Sequence, residues 1–247
     1  MVHEFFNPAQ AAAFDELSQK KDTTFEVRYF NVHGLATAIR LILAAAGAKF
    51  TNIFPGDNWA EEKPKAPFGV MPLLKEISAD GKTSLQIAES DSIERYLARK
   101  FGFYGSNLFE ETAINTFVSQ LMDVNSKIFV RYFAVKDDKE LQEKNRKELV
   151  AGPIANWIKY NEQHLKDNGT NGHFVGNKLS LADFRAYFFI CLLEMITAEE
   201  GLISPEKTPG ILKVKEVIDS DPSIKAWKAT EDYKVLSENN ARMLGFP

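Results

Sequence analysis

Regular patterning starts at residue 25. Apolar and polar positions alternate through Phe25, Glu26, Val27, Arg28, Tyr29 and Phe30, and the aromatic and β-branched types there suit a strand. A polar turn, Asn31-Val32-His33-Gly34, leads into an apolar run over residues 36–46 that reads as a helix, with Gly47 as its stop signal. A second strand is predicted over 49–54, then a short acidic-basic segment over 57–65 that holds Trp59. A third strand is entered through Pro72 and runs to Ile77. The hairpin turn Ala79-Asp80-Gly81-Lys82 joins it to a fourth over 83–87, because Asp-Gly supplies the positive φ such turns need. Residues 90–101 form a helix, apolar at Ile93, Tyr96, Leu97 and Phe101 and charged at Glu94, Arg95, Arg99 and Lys100. The spacing therefore predicts a small α/β domain over 25–103.

Residues 104–107 read as a linker, and residues 108–247 read as an all-helical domain. A long helix is expected over 108–135, with Ile114, Phe117, Leu121, Ile128 and Tyr132 at helical spacing. A second, over 136–166, is expected to kink at Pro153. Ser180 and Asp183 have capping-box spacing, and the almost wholly apolar stretch 184–196 after them should be the central buried helix. Shorter helices are expected over 211–218 and 223–229. At the other end of the chain, residues 1–24 show no clear period. They read as an extension, flexible or packed on the outside, with Phe5, Phe6 and Phe14 available to dock.

Composition narrows the function. The 247 residues are 45% hydrophobic and 26% charged, as in an ordinary soluble globular protein. The net charge of −4 has no long block of one sign, which argues against nucleic acid as a partner. No apolar run approaches the ~20 residues of a membrane span, and the acidic N-terminus does not read as a secretory signal. A single cysteine, Cys191, excludes an intramolecular disulfide and fits a reducing compartment, so the expected location is cytoplasmic. His3, His33, His164 and His173 lack metal-ligand spacing, so no metal is expected. The candidate chemistry is Tyr29, a phenol at the C-terminal end of a strand beside a helix start. Ligands of open α/β sheets bind there, and a phenol so placed can donate to an anion. The same pattern also fits a surface tyrosine without that role.

Further along the chain, several pieces stand in order: Tyr29, Phe30, Gly34 and Arg40; Trp59 with Lys63; Phe68-Gly69-Val70-Met71-Pro72; Glu89-Ser90; Asp123; and the run from Gly176 through Asn177-Lys178-Leu179-Ser180-Leu181-Ala182-Asp183 to Phe184. With them the chain, from about residue 25 onward, resembles the cytosolic glutathione transferases whose active-site residue is a tyrosine, the sigma and pi classes being nearest. The resemblance implies an α/β thioredoxin-like N-terminal domain plus an all-α C-terminal domain. It also implies glutathione as substrate, conjugation of its thiolate to apolar electrophiles, and a homodimer. Tyr29 would be catalytic. A cis Met71-Pro72 bond would present the Met71 backbone to the peptide, with Val70 alongside. Glu89 and Ser90 would take the γ-glutamyl end, and Trp59 and Lys63 the glycine carboxylate. Asp123 would reach the partner's γ-glutamyl ammonium, and Phe68 would be a knob entering the partner. Val32, Phe129 and Phe133 would line the second-substrate pocket, although core packing is an equal reading of the two phenylalanines, which lie four apart on one helix face.

Four positions depart from the pattern. Leu35 stands where the family has an arginine, Val70 and Glu89 where glutamines are usual, and His33 where an arginine is common. The loss of the arginine bears on thiol activation. A protonated His33 would restore part of the lost charge; a neutral turn histidine is the other reading. The alternatives to a transferase are a glutathione-binding or structural relative with little catalysis, and a glutathione-dependent isomerase.

Overall fold

The computed structural model describes residues 8–56 and 59–244, so Phe5, Phe6 and Asp57 lie outside the described residues. The chain divides into two units, Met1–Gly102 with Pro222–Pro247, and Phe103–Asp221.

In the first unit the elements are α1 (Pro8–Ser18), β1 (Thr24–Arg28), α2 (Thr37–Ala45), β2 (Lys49–Ile53), α3 (Trp59–Glu62), β3 (Leu73–Ile77), β4 (Ser84–Ala88) and α4 (Ser90–Phe101). The four strands form one sheet in the order β2-β1-β3-β4. β1 and β2 run parallel, which requires a crossover connection, and α2 provides it. The pairs β1–β3 and β3–β4 are antiparallel. α2 is buried along nearly its whole length, from Thr37 to Ala44, which accounts for the continuous apolar run in the sequence. α4 ends at Gly102 in the left-handed conformation, where glycine is the least strained residue.

The extension is not patternless in three dimensions. α1 packs along β4 and buries Ala13 and Leu17, and the Phe14 ring sits 5.0 Å from that of Tyr96. An eleven-residue helix is marginal on its own in water, so this packing is what holds it. It also covers the edge of the sheet, where unpaired strand groups are otherwise open to other chains. Beneath it, the Glu76 carboxylate accepts from Thr23 Oγ1 at 2.6 Å and from the Tyr96 hydroxyl, and pairs with Lys100 Nζ at 2.9 Å. The same ammonium donates to the carbonyls of Leu17, at 2.6 Å, and Lys20, where the helix has run out of internal partners.

The second unit holds α5 (Leu108–Ile128), α6 (Lys139–Leu149), α7 (Ala155–Asp167), α8 (Leu181–Ile196) and α9 (Pro209–Ser220). α8 is central, as the apolar run implied, and packs on α5 and α9. Its start is the expected capping box: Asp183 Oδ2 accepts from Ser180 N at 2.8 Å, and Oδ1 accepts from Phe174 N at 2.7 Å. The two long helices each break into a π-helical turn, at Phe129–Phe133 and at Val150–Ile154. Pro153 lies in the second, where its missing N–H is accommodated by the wider turn.

The last two helices depart from the expected 108–247 grouping. α10 (Pro222–Lys228) and α11 (Glu231–Leu244) belong with the first unit. α10 packs on α2 and buries Ile224, and its Trp227 ring meets Phe50 of β2 edge-on at 6.0 Å. Burial against the sheet unit, rather than continuity along the chain, decides the grouping. No helix among the described residues is long and apolar enough to cross a membrane.

Candidate active site

Register alone brings the candidate residues of the first unit together. Arg28 is paired with Leu73, and Leu73 with Ala88. The residues just beyond, Tyr29, Pro72 and Glu89, therefore stand in a row at one end of the sheet, on strands about 4.8 Å apart.

Tyr29 is held by its own turn. Its backbone N–H donates to Ile53 O at 3.1 Å, and its hydroxyl oxygen accepts from Leu35 N at 3.3 Å. Burial raises the pKa of the phenol, against smaller opposing effects of the Leu35 N–H and of Arg40. The hydroxyl thus keeps its proton at neutral pH while one lone pair is already engaged, an arrangement suited to donating outward. The approach is close because Gly34 has φ +41° and no side chain.

Arg40 ties the turn from below. It is wholly buried, donating from Nη1 to Val32 O at 2.8 Å and His33 O at 3.3 Å, and from Nε to Asn52 Oδ1 at 2.8 Å. Burial pulls its pKa down to about 10, which still leaves it charged at neutral pH.

His33 offers no charge. Its ring is buried, 4.8 Å from Tyr233 and 6.3 Å from Trp227, with Nε2 2.9 Å from Ser237 Oγ. Burial, with Arg40 and Lys228 nearby, lowers its pKa to about 3. Burial of the ring favours the neutral turn histidine over the protonated one. Leu35, which replaces the family's arginine, is exposed.

The neighbouring positions follow the strand ends. The Met71–Pro72 peptide is cis, and the Met71 side chain is buried, with Val70 half-buried before it. Glu89 holds φ 68°, rare for a residue with a side chain, and its carboxylate does not cap the helix it precedes. Ser90 opens α4, whose first N–H groups lack helical partners. Trp59 packs on Ala66, Leu73 and Ala88, and its ring meets Phe30 at 6.1 Å. Lys63 is exposed and runs past Gly69. Phe68 is half-exposed at φ 55°.

In the second unit Asp123 is exposed and paired with Lys127 one helical turn on, at 2.5 Å. Phe129 and Phe133 are half-buried with ring centroids 5.2 Å apart, so they do share a face. Among the described residues no group of three or more His, Cys, Asp or Glu side chains is placed to hold a metal ion.

A family profile described as "Glutathione S-transferase, C-terminal domain" matches residues 122–231. Glutathione S-transferase 1 of Ascaris suum is 30% identical over 211 residues, which cover 83% of this chain and 95% of that protein. The chain belongs to the glutathione S-transferase family. Another relative, the hematopoietic prostaglandin D synthase of Gallus gallus, is 28% identical, with 82% of this chain and 94% of that protein covered. Among solved structures, the monomeric glutathione S-transferase Na-GST-3 of Necator americanus superposes with a TM-score of 0.70 at 28% identity, covering 84% of this chain and 97% of that one. The fold is therefore the glutathione S-transferase architecture, a thioredoxin-like sheet unit and a helical unit, and the chain is a transferase that uses glutathione as substrate.

The sequence pattern did not point to one set of residues around the tyrosine turn. Asn52, Asp232, Ser237 and Asn240 all bond to the tyrosine turn or to Arg40 and its partner beneath it, and three of them come from α11. Nothing local marks them, since each partner is remote in sequence.

Proposed function

We propose that Tyr29 is the group that activates glutathione in this transferase. Its hydroxyl donates to the sulfur of the bound peptide and favours the thiolate, which attacks an apolar electrophile. The thiol proton passes to solvent, a carbon–sulfur bond forms, and the displaced electron pair leaves with the leaving group or is protonated on carbon. The observation that carries the reading is the Leu35 N–H donated to the Tyr29 oxygen at a strand end, beside a phenol that burial keeps protonated. A thiol of pKa about 8.5 is only a few per cent ionised at neutral pH. A hydrogen bond to a charged acceptor contributes about 1.5–3 kcal/mol, enough to lower that pKa by one to two units.

The rest of the peptide would follow the row of strand ends. The Met71 backbone pairs with it like an added strand, with Val70 alongside. The N–H groups at the start of α4, with Ser90, take the γ-glutamyl carboxylate, and Glu89 the ammonium. Trp59 and Lys63 take the glycine carboxylate. His33, buried and neutral, serves the turn instead. In the helical unit, Phe129 and Phe133 are assigned to the electrophile. The protein would work in the cytoplasm as a homodimer, with Phe68 and Asp123 facing the partner; the half-exposed Phe68 supports that assembly.

The test is the thiolate absorbance of bound glutathione, titrated against pH. Tyr29→Phe should raise the thiol pKa and lower turnover while leaving glutathione affinity nearly unchanged. A wild-type titration in that variant would remove Tyr29 from the mechanism. A second reading, glutathione-dependent isomerisation, is favoured by the prostaglandin D synthase relative. Turnover of that relative's substrate without net loss of glutathione would select it.

A further inference from the structure

The turn that carries Leu35 is gripped from the far end of the chain. Asn240 Oδ1 accepts from Gly34 N at 3.3 Å. Ser237 Oγ donates to Tyr233 O at 2.8 Å, so toward His33 it can only accept, and His33 carries its proton on Nε2. The His33 ring is enclosed by Tyr233 and Trp227. One residue further into the fold, Asn52 links Arg40 to Asp232, donating to Asp232 Oδ2 at 3.4 Å. The backbone from Val32 to Gly34 is thus held from below by Arg40 and from the other side by α11.

Gly34 is the sensitive point. It precedes Leu35, whose N–H reaches the phenol, and a Cβ on Gly34 would lie 2.7 Å from the Tyr29 oxygen. The peptide that carries the Leu35 N–H is held at its other end, where the Gly34 carbonyl accepts from Thr37 Oγ1 at 2.7 Å, so Asn240 on the Gly34 N–H fixes the remaining side of this permissive residue. Asn240 is itself buried, and Leu236, one turn earlier on the same helix, is fully buried.

We infer that α11 is a positioning element for the catalytic phenol: Asn240 and Ser237 hold the turn so that Leu35 N–H orients the Tyr29 hydroxyl toward the thiol. Neither residue touches the proposed glutathione contacts, so they act on thiol ionisation and turnover and not on peptide affinity. The inference rests on the reading of Tyr29 given above.

The experiment titrates the thiol of glutathione bound to the full-length protein, in wild type, Asn240→Leu, Ser237→Ala and Tyr29→Phe, with each α11 variant also combined with Tyr29→Phe. Asn240→Leu should raise the thiol pKa by about half a unit, which below that pKa is about threefold less thiolate, and lower kcat there about threefold with KM for glutathione unchanged. Ser237→Ala should act in the same direction. Asn240→Asp and Ser237→Thr, which keep an acceptor oxygen, should retain most of the wild-type thiol pKa and kcat. In the Tyr29→Phe background both α11 substitutions should be silent. If Tyr29→Phe raises the thiol pKa but neither α11 variant moves it, the positioning role is refuted while the catalytic one survives. An equal effect of the α11 variants with and without the phenol hydroxyl also refutes it. If Tyr29→Phe itself titrates as wild type, the failure belongs to the catalytic reading. Should Asn240→Leu fail to fold, Ser237→Ala carries the same comparison.

Discussion

Glu76 and Lys100 form an ion pair at 2.9 Å with both side chains sealed from solvent. The ammonium also holds two carbonyls at the end of the N-terminal helix, so one charge joins that helix, the inner strand β3 and α4. Removing one partner of a buried pair leaves the other uncompensated, at a cost of about 3–5 kcal/mol. Lys100→Met should lower the melting temperature accordingly, and amide exchange should quicken in α1 more than in α8. Equal protection of α1 in variant and wild type would mean that the ammonium is not its anchor.

Gly34 offers a sharper test of the tyrosine turn. With φ +41° and the phenol oxygen 2.7 Å from any added Cβ, Gly34→Ala must either move the ring or twist the backbone. The backbone term alone costs about 1–2 kcal/mol. Displacing the hydroxyl should raise the bound-thiol pKa by about one unit, the equivalent of losing a ~1.4 kcal/mol interaction. Thermal unfolding and the thiolate titration measure the two effects separately. A folded Gly34→Ala protein with the wild-type thiol pKa would show that the phenol tolerates displacement.

His33 makes stability depend on pH in a stated direction. Its pKa is about 3 in the folded protein against 6.5 when unfolded, so between these values the unfolded chain binds the extra proton. The stabilisation from a neutral His33 is complete above about pH 6.5, falls by up to ~1.4 kcal/mol per pH unit on acidification, and is exhausted near pH 3. His33→Gln should flatten the acid limb of a denaturant-midpoint-versus-pH curve over that window. An unchanged slope would place the proton uptake elsewhere.

Phe68 tests the assembly. It is half-exposed in the loop before the cis-proline. Burying one such side chain is worth about 1.5–3 kcal/mol, and a symmetric dimer does so twice. Phe68→Ala should therefore shift sedimentation toward monomer at micromolar concentration and lower glutathione affinity in step. Monomeric wild-type protein with normal glutathione binding would align this chain with the monomeric Necator americanus structure instead.

Features whose causes are local were legible in the sequence. The strand-turn-helix at Tyr29, the bounds of α4 and the Ser180–Asp183 box rest on interactions between residues within a few positions of one another, where periodicity and caps carry the information. The fold family came from six such pieces in order. What stayed hidden depends on remote partners. α1 has good helix formers but too little length to declare itself, and its anchor is a lysine over eighty residues away. The state of His33 is set by burial under Tyr233 and Trp227, which no turn pattern encodes. The grouping of α11 with the sheet was hidden for the same reason: its exposed face is polar, and its few apolar residues do not name the surface they cover.

The contact between Gly34 and Asn240 spans 206 positions of chain, and this sets an order on assembly. The sheet's first strand and its turn are synthesised early, while the helix that grips the turn emerges two hundred residues later. At about 5–20 residues per second the ribosome takes roughly 10–40 s to cover that distance. Throughout that interval the nascent tyrosine turn has Arg40 beneath it but no Asn240 or Ser237 above it. The geometry proposed to activate the thiol is therefore completed late in biogenesis, because Asn240 and Ser237 are the last of its partners to be synthesised.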